Sequence, residues 1–234
     1  MKFNMILFCF VALAPSLLSA QAGDEVVSVR FSCLAWDTTK ANGLQYLNGE
    51  EVVSVRVGQS NLNGPYEYTG PNPIVFFRER PGAEPGSIFR EPFARAFIKP
   101  GLTDVLILFT EVNRPVDTAA GDHAPKLETL VLNQDLGVFP MGAFRIINLS
   151  EYEVGCILGN ETFVINGKQT KLITQAGEDR DDIRVHFSMK IDEHWEPKIN
   201  TSWMYHADHR SLVFLTDVVN SRRPYLKLKT ITDQ

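Results

Sequence analysis

The sequence predicts an all-β protein, two tandem immunoglobulin-like β-sandwich domains behind a signal peptide. Three observations predict it. Runs of β-branched and aromatic residues recur along the chain, each bounded by Gly, Pro, Asn or Asp. Helix-period patterns are scarce. The order of motifs in the first half reappears in the second as a weak internal repeat.

The chain has 234 residues, 44% hydrophobic and 22% charged, with a formal net charge of −5. That length suits two domains of about 100 residues each, with enough apolar content for a core in both. A mildly acidic chain without a run of Lys and Arg lacks the basic face that a phosphate backbone requires, so nucleic acid is not an expected partner. The densest basic spot, Arg222-Arg223 with Lys227 and Lys229, reads as a turn and a solvated strand face.

At the N-terminus, Lys2 precedes the apolar run 5–14, which Pro15 and Ser16 end. The run is too short to cross a bilayer core of roughly 30 Å as a helix. Ala20-Gln21-Ala22 fits the small-x-small cleavage pattern, so residues 1–22 are expected to be a signal peptide and the mature chain to be exported, periplasmic or extracellular. No later stretch approaches 18 apolar residues, and a transmembrane segment in the mature chain is not expected. Cleavage leaves Cys33 and Cys156. They either bridge the two halves in an oxidising compartment or are small buried apolar residues on their strands, the simpler reading.

Fifteen strands are expected: 26–34, 44–48, 51–57, 73–79, 92–98, 104–112, 127–133, 143–149, 154–158, 161–165, 170–174, 183–191, 200–206, 211–219 and 224–231. Asn48-Gly49 and Asn166-Gly167 suit tight hairpins, where φ is positive. Alternation at Val53, Val55 and Val57, and at Leu226 and Leu228, gives each of those strands one core face and one wet face. Phe31, Val55, Phe76, Leu106, Leu108, Ile146, Phe187, Val213 and Leu215 are the expected core. The repeat aligns VLILFTEV at 105–112 with SLVFLTDV at 211–218, placing Leu106 on Leu212 and Thr110 on Thr216. It also aligns Val29-Arg30-Phe31 with Phe144-Arg145-Ile146. The punctuated stretch Leu136 to Gly142 sets the expected boundary, giving domains 23–138 and 139–234 of about seven strands each. The surplus of the longer first copy is expected in loops around 79–92 and 113–126.

The segment 142–173 carries Ile147-Asn148-Leu149-Ser150 and, after it, a hairpin from Gly159 to Phe163. It resembles secreted bacterial β-sandwich proteins whose domains have no assigned function. The resemblance implies an immunoglobulin-like sandwich in a bacterial envelope, and it brings no catalytic residues with it.

Chemistry-bearing patterns are few. His206 and His209 stand three apart, with His194 as a further metal-ligand candidate one hairpin away. Strand geometry would point the first two to opposite faces, although a turn would reunite them, and no H-E-x-x-H motif is present. A solvated turn is the plainer reading. The acidic run 178–182 lacks the spacing of a calcium loop and reads as a charged connection. There is no G-x-S-x-G elbow, and neither mature cysteine sits where a thiolate would be favoured. Tyr66 and Tyr68, in the polar, turn-rich stretch 61–71, suit a ligand-binding loop; Trp36, Tyr46, Trp195, Trp203 and Tyr205 are further stacking candidates. Three sequons, at Asn148, Asn160 and Asn200, matter only in a eukaryotic secretory pathway. The expectation is a non-enzymatic binding or scaffold protein of the cell envelope, without cofactor or catalytic residues, its partner a protein or a polysaccharide. A carbohydrate-binding module with exposed rings on one face, and a metal-dependent hydrolase using His206 and His209, are the alternatives.

Overall fold

The computed structural model describes residues 26–36, 38–111, 126–218 and 223–233. The expected signal peptide lies outside the described residues, as does the expected loop 113–126 except for Lys126. The described residues form sixteen strands and no helix, and the chain is an all-β double sandwich.

The first sandwich holds β1 (Val26–Ala35), β2 (Gln45–Asn48), β3 (Glu51–Ser54), β4 (Asn63–Pro71), β5 (Ile74–Pro81), β6 (Ile88–Ala96), β7 (Asp104–Glu111) and β8 (Leu127–Asn133). Its outer sheet runs β3-β2-β5-β6 and its inner sheet β4-β1-β7-β8. The second holds β9 (Phe144–Asn148), β10 (Val154–Leu158), β11 (Glu161–Ile165), β12 (Thr170–Ile173), β13 (Asp182–Ile191), β14 (His194–Met204), β15 (Arg210–Val218) and β16 (Tyr225–Asp233). Its outer sheet runs β11-β10-β13-β14 and its inner sheet β12-β9-β15-β16. Strand for strand the two orders are the same. The pairing sense also matches: β1 with β7 and β9 with β15 are parallel, and every other pair is antiparallel.

The ladder registers refine the repeat. Leu106 pairs with Ser32 and Leu132, and Leu212 pairs with Arg145 and Ile231. The parallel ladders end alike, Trp36 N donating to Phe109 O at 2.8 Å and Leu149 N to Leu215 O at 2.7 Å. Phe109 and Leu215 are as far apart in the chain (215 − 109 = 106) as Leu106 and Leu212 (212 − 106 = 106). Trp36 then corresponds to Leu149, an offset of 113, so Phe31 falls on Phe144 and not on Ile146. The motif match at the first strand was two residues out. A slip of two leaves every side chain on its own face, so hydrophobic patterning does not detect it.

Four further expectations are corrected. Among the described residues each half has eight strands rather than about seven. The stretch 61–71 is no loop beyond its first two residues: 63–71 form edge strand β4, paired with β1 from Val26↔Pro71 to Cys33↔Asn63. Asn166-Gly167 does not close a hairpin, because β11 and β12 belong to opposite sheets; Lys168 takes the left-handed backbone there (φ 62°). The tight hairpin beside it is β10–β11, turning at Gly159 (φ 58°). Finally, β14 begins at His194 rather than near 200. Pro197 sits on an edge strand at a bulge, where its missing N–H costs no ladder bond. The surplus expected at 79–92 is visible as a longer hairpin: β5 and β6 are separated by residues 82–87, their counterparts β13 and β14 by Asp192 and Glu193 alone.

All nine expected core residues are buried. Phe31, Val55 and Phe76 fill the first sandwich with Cys33, Tyr46 and Phe109. Ile146, Phe187, Val213 and Leu215 fill the second with Cys156, Leu158 and Val185. Leu106 and Leu108 belong to neither. With Leu34, Trp36 and Leu132 they form the back of the first inner sheet, packed on Ile147, Leu212, Phe214 and Ile231 from the second. The two sandwiches are thus joined by a third apolar core. Burial on both faces explains why β7 and β15 read as unbroken apolar runs instead of alternating.

The linker 134–143 locks into this junction. Phe139 is fully buried, with the guanidinium carbons of Arg145 and Arg210 at 4.2 and 5.2 Å from its ring centre. Arg145 donates to the carbonyl of Asn133; Arg210 donates to those of Gln134 (2.6 Å) and Phe139 (3.2 Å) and pairs with Asp233 at 2.7 Å. Burial, with the like charge of Arg210 beside it, lowers the Arg145 pKa to about 10.

Candidate functional site

Two places on the second sandwich carry chemistry. The first is the turn between β14 and β15. His209 N donates to His206 O at 3.3 Å, closing a four-residue turn. The turn brings both imidazoles to one side, with ring centres 4.9 Å apart in an edge-to-face arrangement. Asp208, between them, places Oδ1 3.6 Å from His209 Nδ1. One ligand atom from each of His206, Asp208 and His209 lies within 4.8 Å of the others.

The backbone around the turn is fixed from two directions. Gly142 N donates to His209 O (2.8 Å) and Ala207 N to Asp179 Oδ1 (2.9 Å); Tyr205 N donates to Asp181 O and Arg180 N to Tyr205 O. Gly142 has φ 77°, and a Cβ there would stand 2.5 Å from the Tyr205 hydroxyl, so only glycine lets the linker pass. Burial, then the charge of Asp179, raises the Tyr205 pKa. The acidic run 178–182 therefore acts as a brace for the histidine turn. Beside that turn the edges of β14 and β16 leave a cleft of about 210 Å³, lined by the two histidines with Phe144, Trp203, Met204, Ser211, Thr230 and Thr232. The edges of β6 and β8 in the first sandwich are bridged by Lys126 N to Phe93 O and Thr129 Oγ1 to Arg95 O, each 2.8 Å.

His194 does not join this group. It pairs with Ile191 at the opposite end of the β13–β14 hairpin, and Met204, next to His206, pairs with Asp182. At about 3.3 Å per strand residue, the length of β14 separates His194 from the turn by roughly 30 Å. Asp208 completes the cluster instead, a residue that strand-based reasoning passed over.

The second place is the exposed face of the outer sheet. Ladder registers set Val164, Gly155, Ser188 and Pro197 in one row across it, and Thr162, Ile157, His186 and Asn200 in the next. Trp195, from the hairpin tip, reaches across β13 to Gly155, where a Cβ would meet its ring at 3.3 Å. The glycine gives the indole a floor of bare backbone. Around it lies an open trough of about 470 Å³, with Val164 and Trp195 exposed by 54% and 45% and with Thr162, His186 and Ser188 among the lining groups. His186 Nε2 and Ser188 Oγ are 2.8 Å apart. The first sandwich's outer sheet differs: it carries an Arg90–Glu79 pair, with Arg90 over Phe77.

Most of the aromatic candidates face inward. Tyr68 is buried, packs on Tyr46 at 6.0 Å and donates its hydroxyl to Pro71 O. Tyr66 packs on Phe31 at 5.4 Å and accepts from Arg56 N. A strand, unlike a loop, turns alternate side chains inward, and these two rings seal the first core. Trp36, Tyr46 and Tyr205 are buried, and Trp203 is half-buried against Phe144. Of these seven aromatic side chains only Trp195 stands exposed. Cys33 and Cys156 are free thiols in separate cores, with pKa values pushed up by burial. Asn148 is fully buried; its amide donates to Tyr152 O, Ile165 O and Asn166 O, and its oxygen accepts from Ser150. The Asn-Leu-Ser corner thus fixes a sheet-to-sheet crossing. Set against known proteins, the chain matches no family model and no curated sequence.

Proposed function

We propose that this is a non-enzymatic exported protein of the cell envelope that binds a partner on the outer face of its second sandwich. The observation that carries the reading is Trp195 laid on Gly155 beside exposed Val164. An indole and a valine held in water on the face of a sheet lose apolar hydration when a partner covers them. The joined inner sheets make a stiff mount, which limits the ordering cost of binding. An immunoglobulin-like ancestry and a bacterial envelope setting, as residues 142–173 suggest, belong to the same proposal.

Co-sedimentation of purified protein with envelope fragments of the source cells tests it. Trp195→Ala and Val164→Asp should each weaken sedimentation by about tenfold or more, the usual loss at a central anchor, and Val75→Asp on the first outer sheet should not. Equal sedimentation of all three would refute the reading. Trp195, with hydroxyls of Ser188 and Thr162 near it, favours a sugar ring as a second reading. Retardation of wild-type protein, but not Trp195→Ala, in gels containing envelope polysaccharide supports that form; equal mobility of the two rejects it.

A further inference from the structure

We propose that the turn His206–His209 binds one divalent first-row metal ion of zinc-like preference through His206, Asp208 and His209, with the remaining coordination position left to water or to a ligand in the adjoining cleft. This site is independent of the Trp195 face, which lies elsewhere on the outer sheet.

Donor chemistry comes first. Two imidazoles and a carboxylate form a set that suits zinc and its neighbours, whereas calcium and magnesium take oxygen. Geometry agrees. Ligand atoms around such an ion stand about 3.3 Å apart at bond lengths of about 2.0–2.1 Å. Asp208 Oδ1 and His209 Nδ1 are already at 3.6 Å, and the whole set lies within 4.8 Å. Closing the difference needs side-chain rotation only, because Gly142, Asp179 and the His206–His209 bond hold the backbone. Three protein ligands leave an open position, as in zinc sites that take a substrate or water. Both histidines also line the cleft, whose walls combine Phe144 and Trp203 with the hydroxyls of Ser211, Thr230 and Thr232. A ligand on the ion would meet an apolar wall and nearby hydrogen-bond partners. The first sandwich has no histidine among its described residues.

The test is a zinc titration of the mature chain without an affinity tag, by calorimetry against a chromophoric chelator, with magnesium as control. One zinc per chain should bind with a dissociation constant of about 1 µM or tighter, near 8 kcal/mol. His206→Asn and His209→Asn should each weaken it by about tenfold or more, and the double variant should abolish it. Asp208→Asn should weaken it by a smaller factor. Trp195→Ala should leave it unchanged, so failure of the sheet-face reading is distinguishable from failure of this one. Imidazole NMR of the wild-type chain supplies a readout independent of variant folding: zinc should shift the ring signals of His206 and His209 and leave those of His186 and His194 in place. Absence of stoichiometric zinc binding, binding that survives in the double variant, or ring shifts at the other histidines alone would overturn the proposal.

Discussion

Truncating Phe214 to alanine tests how firmly the two sandwiches are joined. Phe214 is fully buried, and its ring stands 5.0 Å from that of Trp36 across the junction, with Leu106, Leu108 and Ile231 in the same cluster. Removing a buried phenylalanine ring costs about 3–5 kcal/mol, the transfer loss plus the cavity left behind. Each 1.4 kcal/mol is about tenfold, so the unfolding constant should rise by roughly 150- to 4,000-fold. With a urea dependence of about 2 kcal/mol per molar, the midpoint falls by about 1.5–2.5 M. Equilibrium urea unfolding followed by tryptophan fluorescence and by far-ultraviolet circular dichroism is the assay. Trp36 reports on the junction and Trp203 on the second core. In the wild-type chain the two signals should change together, since shared burial makes the halves one cooperative unit. Val164→Ala, at an exposed position, should stay within about 0.5 kcal/mol. A cost for Phe214→Ala below about 1 kcal/mol, or separate transitions for the two halves of the wild-type chain, would refute the argument.

Other outcomes follow from the same packing. Gly159→Ala should be far more damaging than Gly49→Ala: both have positive φ, but a Cβ at 159 would stand 1.6 Å from Ala176 O whereas at 49 it meets nothing within 4 Å. Gly49→Ala should cost about 1–2 kcal/mol for the left-handed backbone alone, and thermal melts showing equal costs would contradict this. Neither polar side-chain atom of buried Gln134 has a hydrogen-bond partner among the described residues; Gln134→Met should therefore stabilise by about 1–3 kcal/mol, and a destabilised variant would show that the amide is satisfied. Cys33 and Cys156 should resist a thiol reagent in native protein and react once urea unfolds it; rapid native labelling would count against the cores as described. Burial raises the Cys156 pKa from 9.0 to about 12 and that of Tyr46 from 10.0 to about 12. The folded state therefore holds protons that the unfolded chain releases above pH 9, and stability should fall as pH rises from there to about 12. Arg145 acts in the opposite sense, but only above about pH 10. Cys156→Ala should flatten the alkaline fall; an unchanged slope would exclude the thiol as its cause.

The architecture was legible because it rests on burial periodicity. Val53, Val55 and Val57, the apolar run at 104–112 and its partner at 211–219 announced strands, and the repeat announced two similar halves. What the pattern could not carry is which apolar face meets which. Leu106 and Leu108 look like core residues of one domain, and only three-dimensional pairing shows that they join two. Edge strands were read worst. β4 is rich in Gly, Pro and Asn, and β14 contains Pro197, because an edge strand tolerates residues that a central ladder refuses. That misreading carried Tyr66 and Tyr68 from the core to a supposed binding loop. At the histidine turn the residue types were visible, but their convergence depends on one backbone hydrogen bond, which spacing alone does not encode. Trp195 was one aromatic among seven until Gly155 appeared beneath it.

Cross-linking in living cells shows whether the outer face of the second sandwich meets a partner. A photoreactive residue is placed singly at Val164 or Trp195, and at Val75 on the opposite outer sheet as control; all three are exposed. A discrete adduct is expected on illumination from positions 164 and 195, absent from position 75 and competed away by excess wild-type protein. Adducts of equal yield from all three positions, or from position 75 alone, would contradict it.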